Sequence, residues 1–270
     1  MPMTSIKCID FHTHIFPDTL APRALAALVE SGKHLYTPHT DGTKSGLIKF
    51  MDRSGIDISV VMPVITKQSQ TVKTNAFSAE ITDGRVKAFG GIYPHTDDYK
   101  RDIDYVVSLG LPGIKLHAEC QDFIAGSPDM LKIYDYAFSK GLIILHHAGF
   151  EPAYDPPFRA TPKMFANIRK QLGGGTMIAA HLGGQSMWND VEEYIAGTDI
   201  YIDTSMGFEM YSAEQFLRIL KKHGSDKILF GTDSPWSDSG KERQKLLSLP
   251  ISDEEKENIL HKNAEKLLRI

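Results

Sequence analysis

Short apolar runs, many of them β-branched, recur along the chain, and each is followed by a stretch in which apolar residues return every three or four positions. The runs are SIKCIDF (5–11), DISVVM (57–62), VKAFGGI (86–92), GIKLH (113–117), LIILHH (142–147), TMIAAH (176–181), DIYIDTS (199–205) and KILFGT (227–232). Runs of this length and composition predict strands. The spacing between them predicts helices over Leu47–Ser54, Ser69–Thr82, Tyr99–Leu109, Asp129–Lys140, Lys163–Gln171, Trp188–Ala196 and Ala213–His223. A charged amphipathic region follows from Asp253 to Leu268. Strand then helix, repeated along the whole chain, predicts an α/β fold of the (β/α)8 TIM-barrel type, whose parallel strands are covered on both faces. A doubly wound open sheet is the alternative, but no G-x-G-x-x-G loop follows the first strand. Segments 15–44 and 148–162 are rich in Pro, Gly and aromatics. They predict loops or short insertions over one end of the barrel, the first of them an extended loop after strand one.

Composition narrows the function classes. A chain of 270 residues suits one barrel domain over 1–270, and 41% hydrophobic residues supply its core. The formal charge of −4 gives no reason to expect nucleic acid or an anionic membrane as partner. The expected partner is a small-molecule substrate, with a homodimer left open. Cys8 and Cys120 provide neither a disulfide framework nor a CxxC metal signature. The segment MPMTSIKC lacks the apolar core of a signal peptide, and no apolar run approaches the roughly 20 residues that span a bilayer. A soluble cytoplasmic protein is the expectation.

The ends of the predicted strands change the picture. The first ends in DFHTH, the fourth in KLH, the fifth in HHAG, the sixth in AAHLGG and the eighth in FGTDSPW. A closed barrel brings these C-terminal strand ends to one mouth, where catalytic side chains cluster. Alternation places His12 and His14 on one face. His147 or His146, His181 and Asp233 can complete a metal site. Imidazoles with a carboxylate suit Zn²⁺ first, with Mn²⁺ or Fe²⁺ as further candidates, and an open mouth leaves a position for water whose pKa the ion lowers. Asp233 is then both ligand and general base. A single strand-end histidine such as His117 is ordinarily just a hydrogen-bonded polar residue; the conjunction carries the argument. His34, His39, His95, His223 and His261 lack such support and read as surface or loop residues, although His95 follows the third strand. Parity puts Asp10 and Cys8 on the face of His12. Asp10 is therefore a candidate for fixing an imidazole tautomer, with barrel stabilisation or strand capping as the competing account, and Cys8 for packing deeper in the barrel.

These pieces, in this order, resemble the amidohydrolase superfamily, specifically the amidohydrolase 2 branch that includes aminocarboxymuconate-semialdehyde decarboxylase-like enzymes. IDFHTHIFP resembles its strand-one H-x-H, GIKLH its strand-four segment, LHHAG its strand-five His-x-Gly, AAHLGG its strand-six His, FGTDSPW its strand-eight Asp and NAEKLL its terminal helix. The resemblance implies metal binding by His12, His14, His147 and Asp233. It implies that His181 orients or polarises water or substrate, and that Asp233 is the catalytic acid and base. It places the strand-five ligand at His147 rather than His146. Binuclear relatives bridge two metals with a carboxylated lysine on strand four; KLH instead resembles mononuclear members, so one divalent ion is expected. Lys115 is then left to position substrate or to pack, with His117 and Trp236 further candidates for contacting it.

Such a site runs either of two reactions. As a hydrolase, the protein activates water for attack on an ester, lactone or amide, with Asp233 taking the proton. As a non-oxidative decarboxylase, it binds an unsaturated or aromatic acid, and a carbon is protonated as CO₂ leaves. Arg159, Phe158, Tyr154 and Trp236 lie near loops that would wall such a pocket. The sequence favours the hydrolase, and a noncatalytic metal-binding role stands third.

Overall fold

In the computed structural model, which describes residues 6–270, parallel strands alternate with helices from end to end. The strands are β1 (Ile9–Thr13), β2 (Ile58–Val61), β3 (Val86–Ala88), β4 (Gly90–Gly91), β5 (Gly113–Leu116), β6 (Ile143–His146), β7 (Thr176–Ala179), β8 (Tyr201–Asp203) and β9 (Ile228–Leu229). They pair in two arcs, β1-β2-β3 and β4 through β9, each in sequence order. β3 and β4 are halves of one predicted run, parted at Phe89. The other gap closes where Phe11 N–H donates to Phe230 O at 2.8 Å and Asp233 N–H to His12 O at 2.8 Å. The result is the expected TIM barrel. The predicted start of the first strand at Ser5, with most of the N-terminal segment, lies outside the described residues.

Two core layers follow from alternation along the strands. Ile9, Phe11, Val60, Phe89, Leu145, Ile178 and Leu229 fill the barrel interior, and Ala264 joins them from the helix Asn263–Leu268. That helix closes the floor: Asn263 Nδ2 donates to Ile228 O and to Ser225 O, both at 2.7 Å. The outer faces of the strands, among them Ile114, Ile144 and Ile202, pack with helix residues such as Leu47, Ile103, Phe165 and Ile219. The helix Ala213–His223 shows why the pattern works. It buries Phe216, Ile219, Leu220 and His223, one stripe at helical spacing, and the Ser212 side chain caps it by accepting from Gln215 N. Burying each large apolar side chain contributes about 1.5–3 kcal/mol.

Two helices depart from the expectation. The extended loop after strand one contains a helix, Ala21–Ser31, which buries only Ala21 and Leu25 and so leaves little periodic signal. Its start is favoured by proline in the first turn. A second, Ser239–Ser248, is capped by the Asp238 carboxylate accepting from Gly240 and Lys241 N–H, and its sequence is too polar to show a stripe. His223, expected at the surface, is buried and accepts from Gly197 N–H at 3.2 Å. Among the described residues no helix is long and apolar enough to cross a membrane.

Candidate metal centre

The site begins with an irregularity in β1. Its register against β2 shifts between Asp10 and Thr13, a bulge that re-aims side chains. Ile9 and Phe11 face the interior, yet His12 also turns inward, so Asp10 and His12 do not share a face. Asp10 points to the barrel seam instead. It accepts from Thr232 N–H at 3.0 Å and Thr232 Oγ1 at 2.5 Å, with Ser239 Oγ at 3.4 Å. Burial pushes its carboxyl up to about 7, against these hydrogen bonds. Asp10 thus ties β1 to the segment after β9 and fixes no imidazole. Cys8 is likewise in the outer core, where burial pushes its thiol up.

His12 and His14 come together as parity predicts. His12 Nδ1 donates to Asp203 Oδ2 at 2.9 Å, and His14 Nδ1 donates to the Met62 carbonyl at 2.6 Å. With both protons fixed on Nδ1, both Nε2 lone pairs face Asp233, whose Oδ1 lies 3.4 Å from His12 Nε2 and 2.8 Å from His14 Nε2. A lone pair and a carboxylate oxygen at that spacing need a proton or a cation between them. The donor atoms of His12, His14 and Asp233 all lie within 4.8 Å of one another, so this group fits a divalent ion. Burial opposes ionisation of Asp233, yet His12, His14 and His181 hold its carboxyl well below the usual range. Asp233 also has a left-handed backbone, φ 64°, as does His181, φ 59°. Strain of this kind in residues other than glycine gathers at functional sites.

Lys115 is buried in the same corner, with Nζ 3.0 Å from His12 Nε2. Burial lowers its ammonium to about 8, while Asp233 and Asp203 pull it upward. Burial, reinforced by Lys115, lowers His12 to about 4. Approach of the last strand to His12 requires Gly231: a Cβ there would stand 3.0 Å from the His12 Cβ.

Asp203, at the end of β8, organises the centre and was not among the expected site residues. Its Oδ2 receives His12, and its Oδ1 receives His181 N–H at 3.0 Å, Ser205 N–H at 3.0 Å and the Ser205 hydroxyl. Burial opposes its charge, but His12 and His181 hold it well below the usual range. The signal was present in DIYIDTS, a strand end with a carboxylate like the others. From there a proton chain runs outward. Ser205 gives its proton to Asp203, so Ser205 Oγ accepts from His181 Nδ1 at 2.9 Å. His181 Nε2 then accepts from His147 Nδ1 at 3.0 Å. The geometry therefore groups three of the four expected ligands and sets His147 one step away, in a second donor group with His117 and Glu119.

The register question at strand five resolves plainly. His146 is buried outside the barrel among Phe123, Tyr134 and Phe165, while His147 faces the mouth. Trp236 is half-buried, and its N–H closes a turn onto Asp233 O at 2.9 Å. The Arg159 guanidinium is engaged by Asp122 at 2.9 Å, and Phe158 packs edge-on against Phe150. His95 donates to the Gln121 carbonyl at 2.9 Å and so braces a loop.

A family model described as Amidohydrolase matches residues 9–270. The chain belongs to the amidohydrolase family. No curated protein matches it by sequence. Solved structures share its fold. An uncharacterised TIM-barrel protein from Bordetella bronchiseptica has TM-score 0.76 and 17% identity, over 97% of this chain and 98% of that one. A 5-carboxyvanillate decarboxylase from Novosphingobium aromaticivorans, with bound manganese and 3-methoxy-4-hydroxy-5-nitrobenzoic acid, has TM-score 0.74 and 12% identity, over 100% and 99%. A 2,6-dihydroxybenzoate decarboxylase from Rhizobium has TM-score 0.69 and 15% identity, over 97% and 98%. Membership of this family, with the donor groups at the barrel mouth, marks the protein as a metal-dependent enzyme.

Proposed function

We propose that the protein is a metal-dependent, non-oxidative decarboxylase of a small hydroxylated aromatic or unsaturated acid. The observation that carries this reading is the His12–His14–Asp233 cradle beside a buried lysine, in a fold shared with decarboxylases of hydroxylated benzoates. The ion these residues would hold, Mn²⁺, Zn²⁺ or Fe²⁺ by ligand type, supplies positive charge for the oxygens of the acid. Lys115 adds a second positive charge in the same corner, so an entering carboxylate meets two cations and few competing waters. Asp233, held ionised, accepts the proton of the substrate hydroxyl. It then gives that proton to the ring carbon that bears the carboxylate. The oxyanion drives a ring π pair onto that proton to form the C–H bond; the bond to the carboxylate then breaks, its electron pair restores the ring, CO₂ leaves, and the oxyanion regains a proton from solvent. His181, fixed through Ser205, accepts from His147 Nδ1 and so holds that ring in place at the mouth.

The family description itself favours a second reading, in which Asp233 takes a proton from water as it attacks an ester, lactone or amide. The two part cleanly in one experiment. Manganese-loaded protein is given carboxyl-¹³C ortho-hydroxybenzoates in D₂O, and in parallel a lactone panel in H₂¹⁸O. Release of ¹³CO₂ with deuterium at the vacated carbon supports the decarboxylase. Acid carrying ¹⁸O from a lactone, with no CO₂ from any acid, overturns it.

A further inference from the structure

Four imidazoles line the mouth in succession. His14, His12, His181 and His147 follow one another with ring centroids 5.2, 5.4 and 4.7 Å apart. Asp233 stands at the His14 end, 2.8 Å from His14 Nε2, and Glu151 at the His147 end, its Oε2 4.0 Å from His147 Nε2. Glu151 reaches this place from a loop held at its root. Phe150 N–H donates to Gln185 O at 2.9 Å, and Gly149 N–H to Ala160 O at 2.8 Å. Only glycine permits that approach, because a Cβ on Gly149 would stand 2.4 Å from Gln185 N. Tyr154 N–H then closes a turn onto Glu151 O at 3.0 Å. Tyr36, on the loop after the helix Ala21–Ser31, feels both ends of the mouth: burial, Glu151 and Asp233, in that order, push its phenol up.

The two ends differ in charge. Beside Asp233 lies Lys115, and the cradle there suits a divalent ion, so that end is positive once loaded. At the other end His117 stands between two carboxylates, its Nε2 3.3 Å from Glu151 Oε2 and its Nδ1 3.9 Å from Glu119 Oε2. One imidazolium offsets one of the two and leaves a surplus negative charge. The Arg159 guanidinium is engaged by Asp122 and Lys115 by His12, so neither cancels it. The Glu119 side chain is 2% exposed and that of Glu151 is 21% exposed, so Glu151 turns the surplus toward the mouth. A carboxylate offers about four lone-pair sites. Those of Glu151 hold His117 on Oε2 and only a 3.4 Å contact from Ala153 N–H on Oε1.

We infer, on the reading of the cradle and Lys115 as the seat of an acid, that Glu151 is the specificity-determining residue of the site. It accepts from a hydroxyl or amino group on the far side of the substrate from the carboxylate that leaves, and it turns away a second carboxylate there. A donor gains a charge-assisted hydrogen bond to Glu151, whereas a carboxylate in the same position meets a like charge. Both effects favour one orientation, with the leaving carboxylate at the positive end. The substrate class narrows to hydroxy- or amino-substituted acids with a single carboxylate.

Kd is measured by calorimetry on the manganese-loaded full chain, with 2-hydroxybenzoate and derivatives carrying hydroxyl, amino or carboxylate at ring position 4 or 5. A hydroxyl or amino derivative should bind more tightly than 2-hydroxybenzoate, and the matching carboxylate derivative about 10- to 100-fold more weakly. Glu151→Gln, checked for folding by circular dichroism and for manganese content, should remove most of the penalty on the carboxylate and leave the Kd of 2-hydroxybenzoate little changed. A uniform loss across all the acids, or loss of manganese, would make Glu151 a brace for His117 and overturn the inference; so would absence of binding by every acid. Equal binding of carboxylate and hydroxyl derivatives by the unsubstituted protein also overturns it, and that comparison decides alone if Glu151→Gln fails to fold. CO₂ release, followed in parallel, keeps the two readings apart. The expected Kd pattern without CO₂ from any acid upholds Glu151 and sinks the decarboxylase; CO₂ release with an unchanged pattern in Glu151→Gln does the reverse.

Discussion

Replacing Asp203 with asparagine tests the logic of the centre without touching any proposed ligand. The Asp203 carboxylate takes the Nδ1 proton of His12 at 2.9 Å and holds His181 and Ser205 through its other oxygen. An asparagine side chain in the same pose keeps one oxygen for the backbone donors but turns an NH₂ group toward His12. That group wants a lone pair on Nδ1, which moves the ring proton to Nε2, the atom that faces Asp233. A charge-assisted hydrogen bond of roughly 1.5–3 kcal/mol is lost, and at about 1.4 kcal/mol per decade the metal should bind some 10- to 100-fold more weakly, the usual range for partners of metal ligands. Manganese Kd is measured by chelator competition, with circular dichroism to confirm the fold. An unchanged Kd in a folded Asp203→Asn protein would refute the assignment of the His12 proton and the claim that Asp203 sets the cradle.

Asp233→Asn should fold and lose about 10²–10⁴-fold in kcat, the span of general acid–base catalysis; single-turnover kinetics with saturating metal would show it, and full turnover would remove Asp233 from the chemistry. Gly231→Ala places a methyl 3.0 Å from the His12 Cβ, and overpacking there should cost about 1–3 kcal/mol in urea unfolding. His223 offers a pH signature remote from the metal groups. Burial, aided by Lys227, lowers its pKa from the ordinary 6.5 to about 4. The unfolded chain therefore takes up a proton that the folded chain refuses. This contribution is fully present above 6.5 and is lost as pH falls toward 4, amounting to about 2 kcal/mol between pH 8 and pH 5. His223→Gln should flatten that part of the pH–stability curve; a parallel curve would reject it.

How much could be seen beforehand depended on what each feature needs. The strand runs were legible because burial on both faces imposes an apolar run whatever the neighbours, and His12, His14 and Asp233 were legible because barrel closure brings strand ends together. The bulge in β1 was not, since it exists only against the register of β2; it turned His12 inward, off the face that alternation gave it in common with Asp10 and Cys8. His146 and His147 could not be told apart locally because the aromatic cage that claims His146 comes from distant segments. Asp203 looked like any strand-end aspartate until four hydrogen-bond donors converged on it. The helix Ser239–Ser248 is written in its cap rather than in a stripe.

The seam between β1 and the segment after β9 also sets when this protein can acquire its ion. Asp10 and Thr232 are 222 positions apart, and joining segments so distant costs about 5 kcal/mol in loop-closure entropy. His12 and His14 sit on one side of that seam and Asp233 on the other. A chain in which only the earlier strands have assembled holds the cradle's two imidazoles without its carboxylate, and grips a divalent ion weakly there. Metal uptake should thus follow the slowest, most non-local step of folding, so that a stopped-flow metal indicator would report barrel closure itself.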